Sequence, residues 1–185
     1  VSMRSTLGSK LIGQLSDDQR TDHARELYRR MKAVDFSAIF STVLRESNIK
    51  TSEEIESLLD AFLQWFSLVP EALDGKPLQM LESVDPIWHA MILNTAFYRK
   101  FCDEFIGEFV DHNPMDVTQN TRAVKRAYAD HTLALLRRTY GDSVNPALLS
   151  LHDSITCFCG GSCCHKFYDT DEVSFFSINF LLSLQ

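Results

Sequence analysis

Apolar residues recur every three or four positions through most of the chain before Pro146, which is the spacing of helices that bury one face. Capping-box patterns at Ser16 and Thr51 predict two helix starts, and Asp85, which precedes a proline, is predicted to be the N-cap of another helix. A further helix is predicted over residues 121–140. The stripes that define the first three helices are Ala24, Leu27, Tyr28 and Met31, then Phe36, Ile39, Phe40, Val43 and Leu44, then Ile55, Leu58, Leu59, Phe62, Trp65, Phe66 and Val69.

One long helix is predicted to begin at Pro86, to end near Asn113 and to form the centre of the bundle. Its first two turns are apolar on nearly every side, so we expect that end, with Trp88, to lie in the core. Cys102 shares the apolar face and is expected to be a packing residue. The residues on this face are Trp88, Met91, Thr95, Tyr98, Cys102, Phe105 and Phe109.

The pattern changes in the C-terminal part of the chain. The Gly160-Gly161 pair between two short β-prone runs predicts a tight hairpin, and residues 176–184 alternate between apolar and polar as a strand does. The predicted fold is therefore mainly α, a bundle of about five helices around a long central helix in residues 1–150. A small cysteine-containing β-hairpin and strand appendage is predicted in residues 151–185 of the same domain.

The composition fits one globular domain of a soluble protein, which we expect in the cytoplasm. The chain has 185 residues, of which 45% are hydrophobic and 23% are charged. The net charge of −7 argues against a protein that binds nucleic acid through its phosphates, and no apolar run reaches the roughly 20 residues of a membrane span. Residues 1–16 contain Arg4 and Lys10 and no acid, a composition that a mitochondrial presequence shares; a loosely ordered first helix is the alternative.

A motif with the spacing D-x-x-W-H-x-x-x-L-N-x-x-x-Y-x-x-x-C lies on the predicted long helix, at Asp85, Trp88, His89, Leu93, Asn94, Tyr98 and Cys102. It resembles the central motif of the glycine-rich-domain-containing protein family, which has plant and bacterial members. Gly107, Phe109, His112 and Pro114 resemble the continuation of this motif in the bacterial members. The run from Cys157 to Cys164 resembles the Cys- and Gly-rich tail of those relatives. Plant members have a second histidine two places after the first, where this chain has Met91. The resemblance covers residues 50–165 and implies a helical domain of unsettled biochemical role.

Four thiols and an imidazole lie within nine residues near the C-terminus, at Cys157, Cys159, Cys163, Cys164 and His165. Tetrahedral Zn²⁺ takes nitrogen and sulfur ligands, and thiolates also suit Cu(I), so these residues are the candidate metal ligands. Their spacing is not that of a zinc ribbon. Free or redox-active thiols are therefore one alternative, and a disulfide between Cys157 and Cys164 across the hairpin is another.

His89 lies in the apolar start of the long helix, where burial would keep it neutral, so it is a candidate catalytic base or ligand. In that hypothesis Tyr98 and Asn94 assist it as polar groups. The alternative is a core histidine that is hydrogen-bonded to a backbone carbonyl or to the carboxylate of Asp85 or Glu82.

The predicted continuous helix separates the residues that could otherwise form a site with His89. Cys102 lies 13 residues farther on, roughly 20 Å along the axis, and His112 lies beyond the far end. We therefore expect no metal site that joins His89 to either residue. His131 falls on the apolar stripe of the following helix, where it could reach either end of the long helix or be a histidine at the edge of the core.

Two hypotheses of function follow from these features. The first is a non-catalytic helical module that binds a partner protein, with a thiol-rich tail that holds a metal or responds to redox state. The second is an enzyme that uses His89 at the buried start of the long helix. The chain has no G-x-S-x-G, G-x-x-x-x-G-K or H-E-x-x-H motif. The apolar segment 176–184 is a candidate surface for docking on the hairpin or for a homodimer.

Overall fold

The computed structural model describes residue 12 and residues 14–74, 78–112 and 122–150. Within these ranges the fold is all-α, with seven helices and no strand. The helices are α1 (Asp17–Met31), α2 (Ser37–Glu46), α3 (Ser52–Phe66), α4 (Asp85–Leu93), α5 (Thr95–Phe105), α6 (Arg122–Tyr140) and α7 (Pro146–Leu149). The mainly α fold predicted from the sequence is confirmed, whereas the β appendage predicted in residues 151–185 lies outside the described residues.

The first helix starts are set by the side chains that the sequence indicates. The Ser16 side chain accepts a hydrogen bond from the Gln19 N–H, and the Gln19 side chain accepts one from the Ser16 N–H, so the capping box is confirmed. The Thr51 hydroxyl accepts a hydrogen bond from the Glu54 N–H at 3.1 Å and caps α3. The helix predicted over residues 121–140 is confirmed as α6.

The predicted long central helix is wrong, because the chain leaves the helical conformation at Asn94. Its backbone has φ −91° and ψ 59°, and α4 and α5 are separate helices on either side of it. The Asn94 side-chain amide donates one hydrogen bond to the Ala90 carbonyl and one to the Thr42 hydroxyl on α2, each at 2.8 Å. A hydrogen bond from a side chain to the nearby backbone competes with the backbone hydrogen bonds of a helix. The chain therefore changes direction at Asn94, although the spacing of the apolar residues in the sequence continues unchanged.

A second change of direction follows α5 and lies where the sequence predicts more helix. α5 ends at Phe105, and Gly107 has a φ of 91°, a left-handed conformation that glycine adopts without steric cost. The Gly107 N–H donates to the Cys102 carbonyl at 2.9 Å, as expected at a helix C-terminus closed by glycine. Residues 108–112 are consequently not helical, and they turn back along α5.

An aromatic cluster joins α3, α4 and α5 and forms the centre of the core. Trp88 is fully buried, as the sequence predicts, and its ring centroid lies 5.0 Å from that of Trp65. Cys102 is also fully buried, and burial raises the pKa of its thiol to about 11, so the thiol remains protonated and its packing role is confirmed. α2 and α3 both pack against α4, which leaves one edge of α4 facing the space between them.

None of the helices in the described ranges is both long enough and apolar enough to cross a membrane.

Candidate metal centre

Three side chains with metal-binding donor atoms meet at the start of α4. The Asp85 carboxylate lies in the first turn, and its Oδ2 is 3.3 Å from Nε2 of His89, one turn later on the same face of the helix. Its other oxygen, Oδ1, is 3.2 Å from Nε2 of His112. One donor atom from each of the three residues lies within 4.8 Å of the other two. A single carboxylate therefore stands between two imidazoles.

His112 reaches this position because of the two changes of chain direction. A buried hydrogen-bonded chain then holds its segment: the Trp88 indole N–H donates to the Tyr98 hydroxyl at 2.9 Å, and that hydroxyl donates to the Val110 carbonyl at 2.7 Å. The His112 ring also packs against the Trp88 ring, with centroids 4.5 Å apart. The motif residues Trp88 and Tyr98 thus connect the core to the residue that completes the cluster.

The cluster is buried on one side and open on the other. The side chains of Asp85 and His112 are 8% and 12% exposed, whereas that of His89 is 57% exposed. Asp85 and His89 are among the residues that line a surface cleft of about 760 Å³. The expectation that His89 is buried is therefore wrong. It lies on the rim of the cleft, because the apolar side chains at the start of α4 fill the core from the opposite side of the helix.

Two of the donor separations are close to those around one small divalent ion. At Zn–N and Zn–O distances of about 2.0–2.2 Å, two ligand atoms of a tetrahedral ion lie roughly 3.3–3.5 Å apart. The carboxylate–imidazole distances of 3.2 Å and 3.3 Å are near this value, but they run to different oxygens of Asp85, and the three donor atoms are spread over up to 4.8 Å, so an ion would draw the side chains closer together. The two imidazole rings are also close, with centroids 4.8 Å apart. A carboxylate and two imidazoles form a donor set that zinc and other divalent transition metals accept.

Two expectations about these residues are wrong. The N-cap of α4 is Val84, and Asp85 is the first residue of the helix, with its carboxylate close to both histidines. His112 was expected beyond the far end of a continuous helix, out of reach of His89, but the breaks at Asn94 and Gly107 bring it back beside His89. The pairing of His89 with Asp85, expected as the alternative to a catalytic role, is present.

The other candidate residues have different positions. The Tyr98 hydroxyl is fully buried and hydrogen-bonded, and burial raises its pKa, while Asn94 forms the break between α4 and α5. His131 is half-buried on α6, which packs against α1, and it does not belong to the cluster. The candidate ligands near the C-terminus, Cys157, Cys159, Cys163, Cys164 and His165, lie outside the described residues, so metal binding there stays a prediction.

In the residues that the structure describes, the chain is an all-α protein with a carboxylate–dihistidine cluster beside a cleft. The model of the UCP032817-like family matches residues 26–141, and the chain belongs to this family. The matched range contains all three residues of the cluster. No curated protein and no solved structure matches the chain. The resemblance to the glycine-rich-domain-containing protein family stays a prediction.

Proposed function

We propose that this domain binds one divalent transition-metal ion through Asp85, His89 and His112. The observation that carries the proposal is the convergence of three donor atoms from two separate segments of the chain, with both histidines presenting Nε2 to the same carboxylate. The residue types are those of zinc and non-haem iron sites with two histidines and one carboxylate. Zn²⁺ is the first ion to test, since two imidazoles and one carboxylate satisfy its preferences without further constraint.

Three protein ligands leave at least one coordination position for another group. Zinc sites of this kind take a water molecule or a substrate there, whereas structural zinc sites are closed by four protein ligands. The exposure of His89 and its position on the cleft support an open position on that side. This favours an exchangeable ion over a structural one. It also modifies the enzyme hypothesis, in which His89 would act as a metal ligand rather than as a general base.

The competing explanation is a metal-free cluster in which the Asp85 carboxylate is simply hydrogen-bonded to two imidazoles. The observed distances of 3.2 Å and 3.3 Å suit that arrangement as well. In the first explanation both histidines contribute to metal affinity, whereas in the second neither does. A metal titration of histidine variants distinguishes the two.

The test is a titration of the full-length, chelator-treated protein with Zn²⁺, with Co²⁺ absorption as a spectroscopic check. We expect one ion bound by nitrogen and oxygen ligands, and separate variants Asp85→Asn, His89→Ala and His112→Ala that each lose more than about 100-fold in affinity. Co²⁺–thiolate absorption identifies any ion held instead by the C-terminal cysteines. His131→Ala, outside the cluster, is the control and should bind as the unmodified chain does.

If the unmodified protein binds no ion with nitrogen and oxygen ligands, or if the three cluster variants bind it as tightly as the control, the metal proposal is wrong. The hydrogen-bonded cluster is then the correct explanation.

A further inference from the structure

The cleft lined by Asp85 and His89 is also lined by many residues outside the candidate metal centre. It lies between the end of α2, the first turns of α3 and the outer edge of α4. Leu93 provides most of its exposed aliphatic surface, whereas Val43, Ile49 and Leu58 also line it but are at most 8% exposed. A volume of about 760 Å³ is within the range of sites that hold organic ligands or short chain segments.

The charged groups of the cleft all have the same sign. Glu46, Glu54 and Glu82 line it, and no lysine or arginine among the described residues does so. Glu46 is paired with Arg45 at 2.6 Å, but neither Glu54 nor Glu82 has a basic partner in the part of the chain that the structure describes. The cleft therefore combines an apolar surface with two carboxylates that lack a counter-charge.

One apolar side chain of the cleft lies largely in solvent. Leu93, at the end of α4, is 61% exposed and is the most exposed large hydrophobic side chain in the described ranges. Apolar side chains surrounded by polar groups are typical of interaction sites, where a partner chain covers them.

We propose that the cleft binds a short peptide segment of a partner protein, in which a lysine or arginine lies next to a large aliphatic or aromatic residue. The apolar residue packs on Leu93 and on the exposed edge of Leu58, and the cation faces Glu54 and Glu82. Charge complementarity and apolar burial select the same ligand. Binding of the peptide does not require an ion, so this proposal stands or fails separately from the metal proposal.

The test uses the full-length protein and a positional-scanning library of fluorescein-labelled octapeptides, read by fluorescence anisotropy in the presence of EDTA. We expect selection of lysine or arginine beside leucine, isoleucine or phenylalanine. Addition of a one-to-one amount of Zn²⁺ in a parallel series shows whether the ion changes the affinity. Because the two series are separate, a protein that binds no metal can still confirm the peptide site.

The selected peptide is then measured against matched variants. The pair Glu54→Gln and Glu82→Gln should weaken binding roughly five- to tenfold, and Leu93→Ser about tenfold. Glu53→Gln with Glu56→Gln is the charge control, because Glu53 shares the first turn of α3 with Glu54 and neither control residue lines the cleft. Leu44→Ser, an exposed leucine outside the cleft, is the apolar control.

Three results overturn the proposal: no sequence preference, a preference for acidic peptides, or a selected peptide that binds equally well to the cleft variants and the controls. Displacement of the peptide by a simple aliphatic amine at similar concentration also overturns it, since the cleft would then be a site for small amines.

Discussion

Replacement of Trp88 by alanine is expected to lower the free energy of unfolding by about 3–5 kcal/mol. The side chain is fully buried, and its ring packs against those of Trp65 and Phe62, with centroids 5.0 Å and 6.4 Å away. Truncation removes this packing, leaves a cavity between α3 and α4, and takes the donor from the Tyr98 hydroxyl. Urea unfolding followed by circular dichroism measures the loss.

The same substitution should also weaken the candidate metal centre, because the His112 ring rests against the Trp88 ring. Trp88→Phe is the matched control, because it retains an aromatic ring in the core but loses the indole N–H. We expect it to lower the free energy of unfolding by about 1–2 kcal/mol, which is roughly the cost of a lost buried hydrogen bond. A loss below about 1 kcal/mol for Trp88→Ala would show that α4 is not central to the core.

Replacement of Tyr98 by phenylalanine is expected to reduce Zn²⁺ affinity about 10- to 100-fold while the helical signal is retained. The ring stays in the core, but the Val110 carbonyl loses its buried donor and the Trp88 indole N–H loses its acceptor. Residues 110–112 are then held less firmly, and His112 no longer has one fixed position relative to Asp85. Calorimetric titration of the chelator-treated variant measures the effect.

Tyr140→Phe is the control for this prediction. Tyr140 is largely buried, and its hydroxyl lies 2.6 Å from the Ser67 hydroxyl; neither residue belongs to the candidate metal centre. Loss of either tyrosine hydroxyl disturbs a buried hydrogen bond, so an equal decrease in metal affinity in both variants would indicate a general effect of stability. Unchanged affinity in Tyr98→Phe, together with loss in Asp85→Asn, would show that other contacts position His112.

Those features of the fold that depend on a few neighbouring residues could be predicted from the sequence. The capping box at Ser16 and the cap at Thr51 each need a side chain three residues from the N–H that it binds. The burial of Trp88 and Cys102 follows from their place on an apolar stripe. These signals are local, so the burial of Trp88 and Cys102 is predicted correctly even though the helix expected to carry both is divided in two.

The candidate metal centre could not be predicted, because it depends on a contact between residues that are far apart in the chain. Asp85 and His89 are one turn apart, and their pairing is among the expectations from the sequence, but His112 is 27 residues from Asp85. Its position depends on the Asn94 side chain, which reaches Thr42 on a different helix, and on the left-handed turn at Gly107. Neither feature changes the periodicity of the apolar residues.

The return of the chain from α5 to α4 has a consequence for how the protein would respond if it bound an ion at the candidate centre. An ion held by His89 and His112 links the two ends of the segment that contains α5, and so acts as a reversible cross-link across a closed loop. The ion binds when the two ends of the loop are together, as they are in the folded chain, and it therefore stabilises this closed arrangement. The free energy of stabilisation depends on the ion concentration relative to Kd. Metal occupancy should therefore be seen as slower amide exchange and slower proteolysis at residues 108–112, with little change in helix content.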